Sequence, residues 1–242
     1  HTRFRNVTGV QTCALPISAV LVAVIALTLA RPAAAQDWTE FVSPEERFTV
    51  TFPGQPTVTE TTWVSQYGVT LPARLYSGAS GQSRYSVLAV DYNPVERLLT
   101  ERSRGFAALD LAIHEYGTGY WKTDVRSATL WAASTFLSRE GRITSLLASL
   151  TEVVQGLVLQ IANTDGSSTH VSIYMHENVL IIAEATVPKG YPAPIIFQQS
   201  IGWLDAQGRR IRYLGVYHNE PNDPRSEEHT SELQSRFGIS YA

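Results

Sequence analysis

The chain has 242 residues, 44% of them hydrophobic, with 19 Lys and Arg against 22 Asp and Glu. That is enough apolar material for one or two globular domains, and the mildly acidic balance argues against a nucleic-acid partner, which a basic face would attract. Cys13 is the single cysteine, so disulfide frameworks and zinc-cysteine sites are excluded.

The two ends stand apart from the rest. Residues 7–17, VTGVQTCALPI, and residues 225–235, RSEEHTSELQS, resemble translations of one short sequencing adapter read on opposite strands. The reverse complement of codons for the second continues in frame as codons for the first. Residues 1–18 and 225–242 are therefore expected to lie outside the natural protein and outside fold reasoning. Cys13, His229 and the glycosylation-like Asn6-Val7-Thr8 go with them, which leaves no thiol for a nucleophile. Ala19 to Ala30, AVLVAVIALTLA, is followed by Arg31-Pro32 and Ala33-Ala34-Ala35. An apolar run shorter than the roughly 20 residues of a spanning helix, then small residues, is the pattern of a secretory signal with its cleavage site. Residues 19–35 are thus expected to direct export, leaving no membrane span after cleavage and a periplasmic or secreted chain from Gln36. Between Gln36 and Pro224 there are 14 Lys and Arg against 19 Asp and Glu.

Residues 36–224 are expected to form a single α+β domain, mainly antiparallel sheet with two or three helices. Phe48, Val50 and Phe52 alternate with Thr49 and Thr51, a first strand that Pro53-Gly54-Gln55-Pro56 ends. Strands over residues 57–65, 69–77 and 84–92 complete a four-strand meander, with Pro72 marking an edge or a bulge. After Asn93-Pro94 the pattern turns helical. Phe106, Leu109, Ile113 and Tyr116 recur at helical spacing over residues 104–116. Thr123 or Asp124 can cap a second helix whose stripe is Val125, Ala128, Ala132 and Phe136. Residues 143–150 favour a strand by alternation, although LLASL also suits a helix.

From Gly156 to Gly190 three antiparallel strands follow one another. Leu157, Leu159 and Ile161 precede a turn at Asn163-Thr164-Asp165-Gly166. Val171, Ile173 and Met175 then share a core face, while His170, Ser172, Tyr174 and His176 share the other. His176-Glu177-Asn178 makes the next turn, and the nearly all-apolar run Val179 to Val187 reads as a central strand covered on both faces. Residues 192–204 read as a short helix using Ile196, Ile201 and Trp203, and Gly208 leads into a last strand over residues 209–217.

The stretches FTVTFPGQP, IYMHENVLIIAEATVP and FQQSIGWLDAQGRRIRY resemble a group of uncharacterised exported bacterial proteins, and the order of elements over residues 38–217 is similar to the PsbP-like fold. The resemblance implies an antiparallel sheet between helices and an exported location only; known members of that fold are mostly accessory or binding proteins, and the matching stretches carry no catalytic signature.

Chemistry-bearing patterns are sparse. His170 and His176 share a strand face but stand roughly 20 Å apart, too far for one metal, and a partly exposed sheet face or turn is their expected place. Asp110 and His114 have the i, i+4 spacing of a surface pair, which is also that of a base and its orienter. Tyr116, Tyr120 and Trp121 surround Gly117 and Gly119, and rigid aromatics on such a loop suit a partner surface. Trp121 is expected in the core and Tyr120 equally there or exposed. Candidate binding residues are therefore Tyr116, Tyr120, Trp121, His170, Tyr174 and His176. No catalytic residue, metal or cofactor is expected. The leading reading is a non-enzymatic exported binding or accessory protein for an unknown protein or small molecule; the alternative is a small hydrolase using a histidine and a carboxylate.

Overall fold

The computed structural model describes residues 38–107 and 120–219, which form ten strands and three helices. In chain order they are β1 (Trp38–Ser43), β2 (Phe48–Pro53), β3 (Thr57–Val64), β4 (Thr70–Ser80), β5 (Ser83–Asp91), α1 (Val95–Ala107), α2 (Tyr120–Leu137), β6 (Arg142–Thr151), β7 (Val154–Ala162), β8 (Ser168–His176), β9 (Val179–Val187), α3 (Ile195–Gln199) and β10 (Gly202–Trp203). Seven strands form one antiparallel sheet in the order β3-β4-β5-β9-β8-β7-β6, and β1-β2-β10 form a second, small one. The fold is therefore α+β and mainly antiparallel.

The centre of the large sheet is buried on both faces. On one, α1 and α2 lie over Leu71, Val90, Leu159, Val171, Ile173, Leu180 and Ile182, and the α2 stripe of Val125, Ala128, Ala132 and Phe136 fills the space between. On the other, the small sheet and α3 press Phe48, Phe52, Phe197 and Trp203 against Tyr76, Val87, Tyr174, Ile181 and Ala183. At about 1.5–3 kcal/mol for each large apolar side chain fully removed from water, these two layers are the main favourable term. β9 is the fourth of the seven strands and feeds both layers, as its apolar run requires.

Several sequence expectations change at this point. Residues 48–53 do form a strand, but it pairs with β1 and β10 across the second core instead of heading the meander. Pro72 stands opposite Thr62, one residue beyond the last β4–β5 pair at Ala73 and Val90, so β4 has only one neighbour there. The even-numbered face of β8 is covered by the small sheet layer, so His170 and His176 are buried, not partly exposed. Asp124 lies inside α2 and is fully buried: its Oδ2 accepts a hydrogen bond from Ser65 Oγ at 2.5 Å, tying the helix to the β3–β4 turn. Trp203 belongs to β10 rather than to a helix, Ile196 is exposed, and residues 209–217 make isolated bridges at Arg210 and Tyr217 instead of a strand. Most of the helix expected over residues 104–116 lies outside the described residues; α1 begins earlier, at Val95.

One glycine shows how closely β7 and β8 approach. A Cβ built at Gly156 would sit 2.2 Å from both the carbonyl oxygen of Ile173 and Cδ1 of Tyr174. Gly156→Ala should therefore cost at least about 2 kcal/mol in urea denaturation through overpacking. Gly54→Ala, with open space around it and a φ of +83°, should cost about 1 kcal/mol from backbone strain alone. Equal midpoints for the two variants would contradict the ring-on-glycine contact.

Candidate functional site

Of the residues singled out from sequence, Tyr116, His114 and Asp110 lie outside the described residues. Tyr120 and Trp121 open α2 half-buried. The Tyr120 ring meets Tyr67 edge-on with centroids 5.5 Å apart, Trp121 packs against the first core, and Lys122 stands over the Trp121 ring at 5.6 Å. His170, Tyr174 and His176 lie under the small sheet, and they do not form one site. His170 Nε2 lies 3.2 Å from Ser168 Oγ, and burial lowers its pKa. The Tyr174 hydroxyl accepts from Thr151 Oγ1 at 2.7 Å, and its ring meets Trp203 edge-on.

His176 is the centre of a buried aromatic cluster. Its ring stacks on Trp203 at 4.8 Å, Nε2 is 2.7 Å from the Tyr213 hydroxyl, and Nδ1 is buried without a partner. Tyr217 packs beside it, and the neighbouring Glu177 pairs with Arg47. Burial, with the Arg47 charge as a second cause, holds the imidazole at about 4 instead of near 6.5. A proton there would be taken out of water next to a guanidinium, so the ring stays neutral. Closed in by Trp203, Tyr213 and Tyr217, this cluster serves packing.

The open chemistry lies on the helix-side face of the sheet. Leu180 and Ile182 of β9 lie under the helices, and Glu184 and Thr186 continue the same face. α2 ends at Leu137, and beyond it a groove of about 810 Å³ lies across β4, β5 and β9. Register builds its floor: Thr57 pairs with Ser77, Ser77 with Ser86, and Ser86 with Glu184, a polar rung across four strands, while Arg84 stands opposite Thr186 on the next rung. Asp165 and Ser167 of the β7–β8 turn reach the rim. The carboxylates are already occupied. Arg139 donates to Glu184 Oε1 at 2.8 Å, and Asp165 Oδ1 accepts from the Ser167 backbone at 2.9 Å and from its hydroxyl at 2.6 Å, which lowers the Asp165 pKa. The Arg84 side chain is exposed and makes no hydrogen bond or ion pair with the described residues. A second cavity, of about 250 Å³, lies on Arg74, but Glu45, Glu46 and Glu60 all turn to that guanidinium. In that cavity the charges answer one another, whereas in the first groove the planar five-donor guanidinium of Arg84 has no side-chain partner among the described residues.

Sequence reading passes over Arg84, Ser86 and Glu184. Each is an ordinary polar residue at an alternate position of a strand, and only the β5–β9 register, which alternation cannot supply, sets them side by side. Compared with protein-family models and with curated protein sequences, the chain finds no match in either.

The neutral His176 makes stability depend on pH. Its folded pKa is below the unfolded one, so the unfolded chain binds the extra proton: the contribution is complete above pH 6.5 and is lost as pH falls towards 4. About 2 kcal/mol should disappear between pH 7.5 and pH 5 on this account. His176→Phe keeps a ring on Trp203 and removes the titration. Urea midpoints should therefore fall less steeply with pH in the variant, and parallel profiles would show that the imidazole is not held neutral.

Proposed function

We propose that the chain is a non-enzymatic binding protein that acts outside the cytoplasm and holds a small polar ligand with an anionic group in the groove across β4, β5 and β9. One observation carries this reading: Arg84 has no partner among the described residues, in a hydroxyl-lined groove whose carboxylates are already engaged. A guanidinium fork pairs with a carboxylate through two parallel hydrogen bonds, and Thr57, Ser77, Ser86 and Thr186 offer hydroxyls to the rest of such a molecule. The apolar segment over residues 19–35 with its small-residue end supports export. The likeness to the PsbP-like fold, with its accessory and binding members, points the same way. Tyr120 and Trp121 serve the reading less well as a partner surface, because both already pack on Tyr67 and the first core. A hydrolase would need a histidine beside a carboxylate; His170 stands opposite Ala185 in the register, on the other face of the sheet from Glu184.

A thermal-shift panel of free amino acids, dipeptides and sugar acids tests the reading. At a ligand concentration of about 100 times Kd, binding adds about 2.7 kcal/mol of stability, so one class should raise Tm by several degrees. Arg84→Ala should abolish that rise and leave the ligand-free Tm within about 1 °C, since an exposed residue without partners contributes little. A ligand that shifts both proteins equally would sink the groove assignment. Fractionation should find the parent outside the cytoplasm and a variant lacking residues 19–35 inside it; the reverse would sink the compartment.

A further inference from the structure

The large sheet ends in two different edges. At β3, the strand carries Glu60, which accepts a hydrogen bond from Arg74 Nε at 2.7 Å, and most of its other residues are threonine. At the opposite edge β6 reads RITSLLASLT, with one charged residue, no proline, and Leu146, Leu147 and Leu150 exposed. An open edge offers unpaired backbone groups to any strand, and charges, prolines and bulges are the usual guards. Here the one irregularity falls between Ile143 and Ser145; from Ser145 to Thr151 the ladder with β7 is regular, and Ala148 is its midpoint. Leu146 lies opposite Leu159 and Ala148 opposite Leu157, so Leu146, Ala148 and Leu150 face the helix side. That series reads the same in both directions. A groove of about 480 Å³ runs beside it, lined by Leu130, Ala148, Leu150 and Leu157, and Leu130 of α2 is 63% exposed.

We propose that β6 is a dimerisation edge, on which a second copy of this chain adds its own β6 antiparallel about a two-fold axis through Ala148, joining the two large sheets into one. A two-fold perpendicular to the sheet keeps like faces together. Leu146 of each copy then lies opposite Leu150 of the other, and Ala148 opposite itself, which places two apolar cross-strand pairs over the groove. Charge selects the same occupant. Arg142 makes no ion pair with the described residues, and this register brings it beside the Glu152–Val153 turn of the second copy. Glu152 shares the Arg210 guanidinium with Glu40, two carboxylates on one cation, so that end of the hairpin keeps a net negative charge. The only cation of the strand thus meets an anion and not its own copy. This inference is independent of the ligand groove, which lies across β4, β5 and β9.

Sedimentation equilibrium of the full chain up to about 100 µM tests it with two double variants at exposed positions. Leu146→Lys with Leu150→Lys sets lysine opposite lysine in both pairs, whereas Leu146→Lys with Leu150→Glu sets lysine opposite glutamate in both. The parent and the Lys/Glu protein should dimerise, and the Lys/Lys protein should dissociate at least about 100-fold more readily, with unchanged circular dichroism. Should either double variant fail to fold, Ala148→Glu, which puts two carboxylates on the axis, should give the monomer. A parent that stays monomeric, a Lys/Lys or Ala148→Glu protein that still dimerises, or a folded Lys/Glu protein as monomeric as Lys/Lys would overturn the proposal.

Discussion

Burial of β8 and β9 on both faces is the constraint on which the rest of the molecule depends. Two adjacent strands whose side chains are removed from water above and below need two covering layers, and the chain supplies them from distant segments. α1 and α2 come from between the two halves of the large sheet; β1, β2, α3 and β10 come from its two ends. The same demand explains the conformations at the hairpin ends. Glu177 and Asn178, at φ values of 46° and 61°, turn β8 into β9 without a gap, and Glu152 and Val153, at 45° and 68°, do so for β6 and β7. Paired positive φ values twist a two-residue turn in the sense the strands require. For a β-branched residue such as Val153 this is strained, at roughly 1–3 kcal/mol. The turn is held by its surroundings: Tyr217 N donates to the Val153 carbonyl at 2.9 Å, and Trp203 Nε1 to the Thr151 carbonyl at 2.9 Å.

Where burial was the governing cause, the sequence was legible. The stripe Val125, Ala128, Ala132 and Phe136, the core residues Leu159, Ile161, Val171, Ile173, Ile181 and Ala183, and the central place of residues 179–187 follow from periodicity and composition alone. Where burial depended on which distant segment arrived, it was not. His170, Tyr174 and His176 alternate with apolar residues as a solvated face would, and only the arrival of Trp203, Tyr213 and Phe197 turns that face into a second core. Asp124 looks like a cap because caps are local, yet its partner Ser65 is 59 positions away. Arg84 and Glu184 could be read as one site only with the strand register known.

Both proposed features lie where the two-sided cover stops. α2 ends short of Glu184, and the uncovered polar rungs become a groove in which the Arg84 side chain has no partner among the described residues. Among the described residues β6 has no strand beyond it, and Leu146, Leu147 and Leu150 are exposed. A sheet this thoroughly packed at its centre can leave an end of one face and one edge open without losing its fold, since the apolar contacts that hold it lie elsewhere.

Amide hydrogen exchange under native conditions tests the two-sided sheet most directly. If β8 and β9 are covered on both faces, the amides of residues 171–175 and 180–185 open only with the whole molecule, at the global unfolding free energy, while those of β3 exchange through smaller openings. The alternate residues decide the matter. His170, Ser172 and Tyr174 must be as protected as Val171 and Ile173, since their strand is shielded from above and below. Exchange of the β8 amides at rates like those of β3 would mean that the small sheet does not cover this face, and would contradict a sheet packed on both sides.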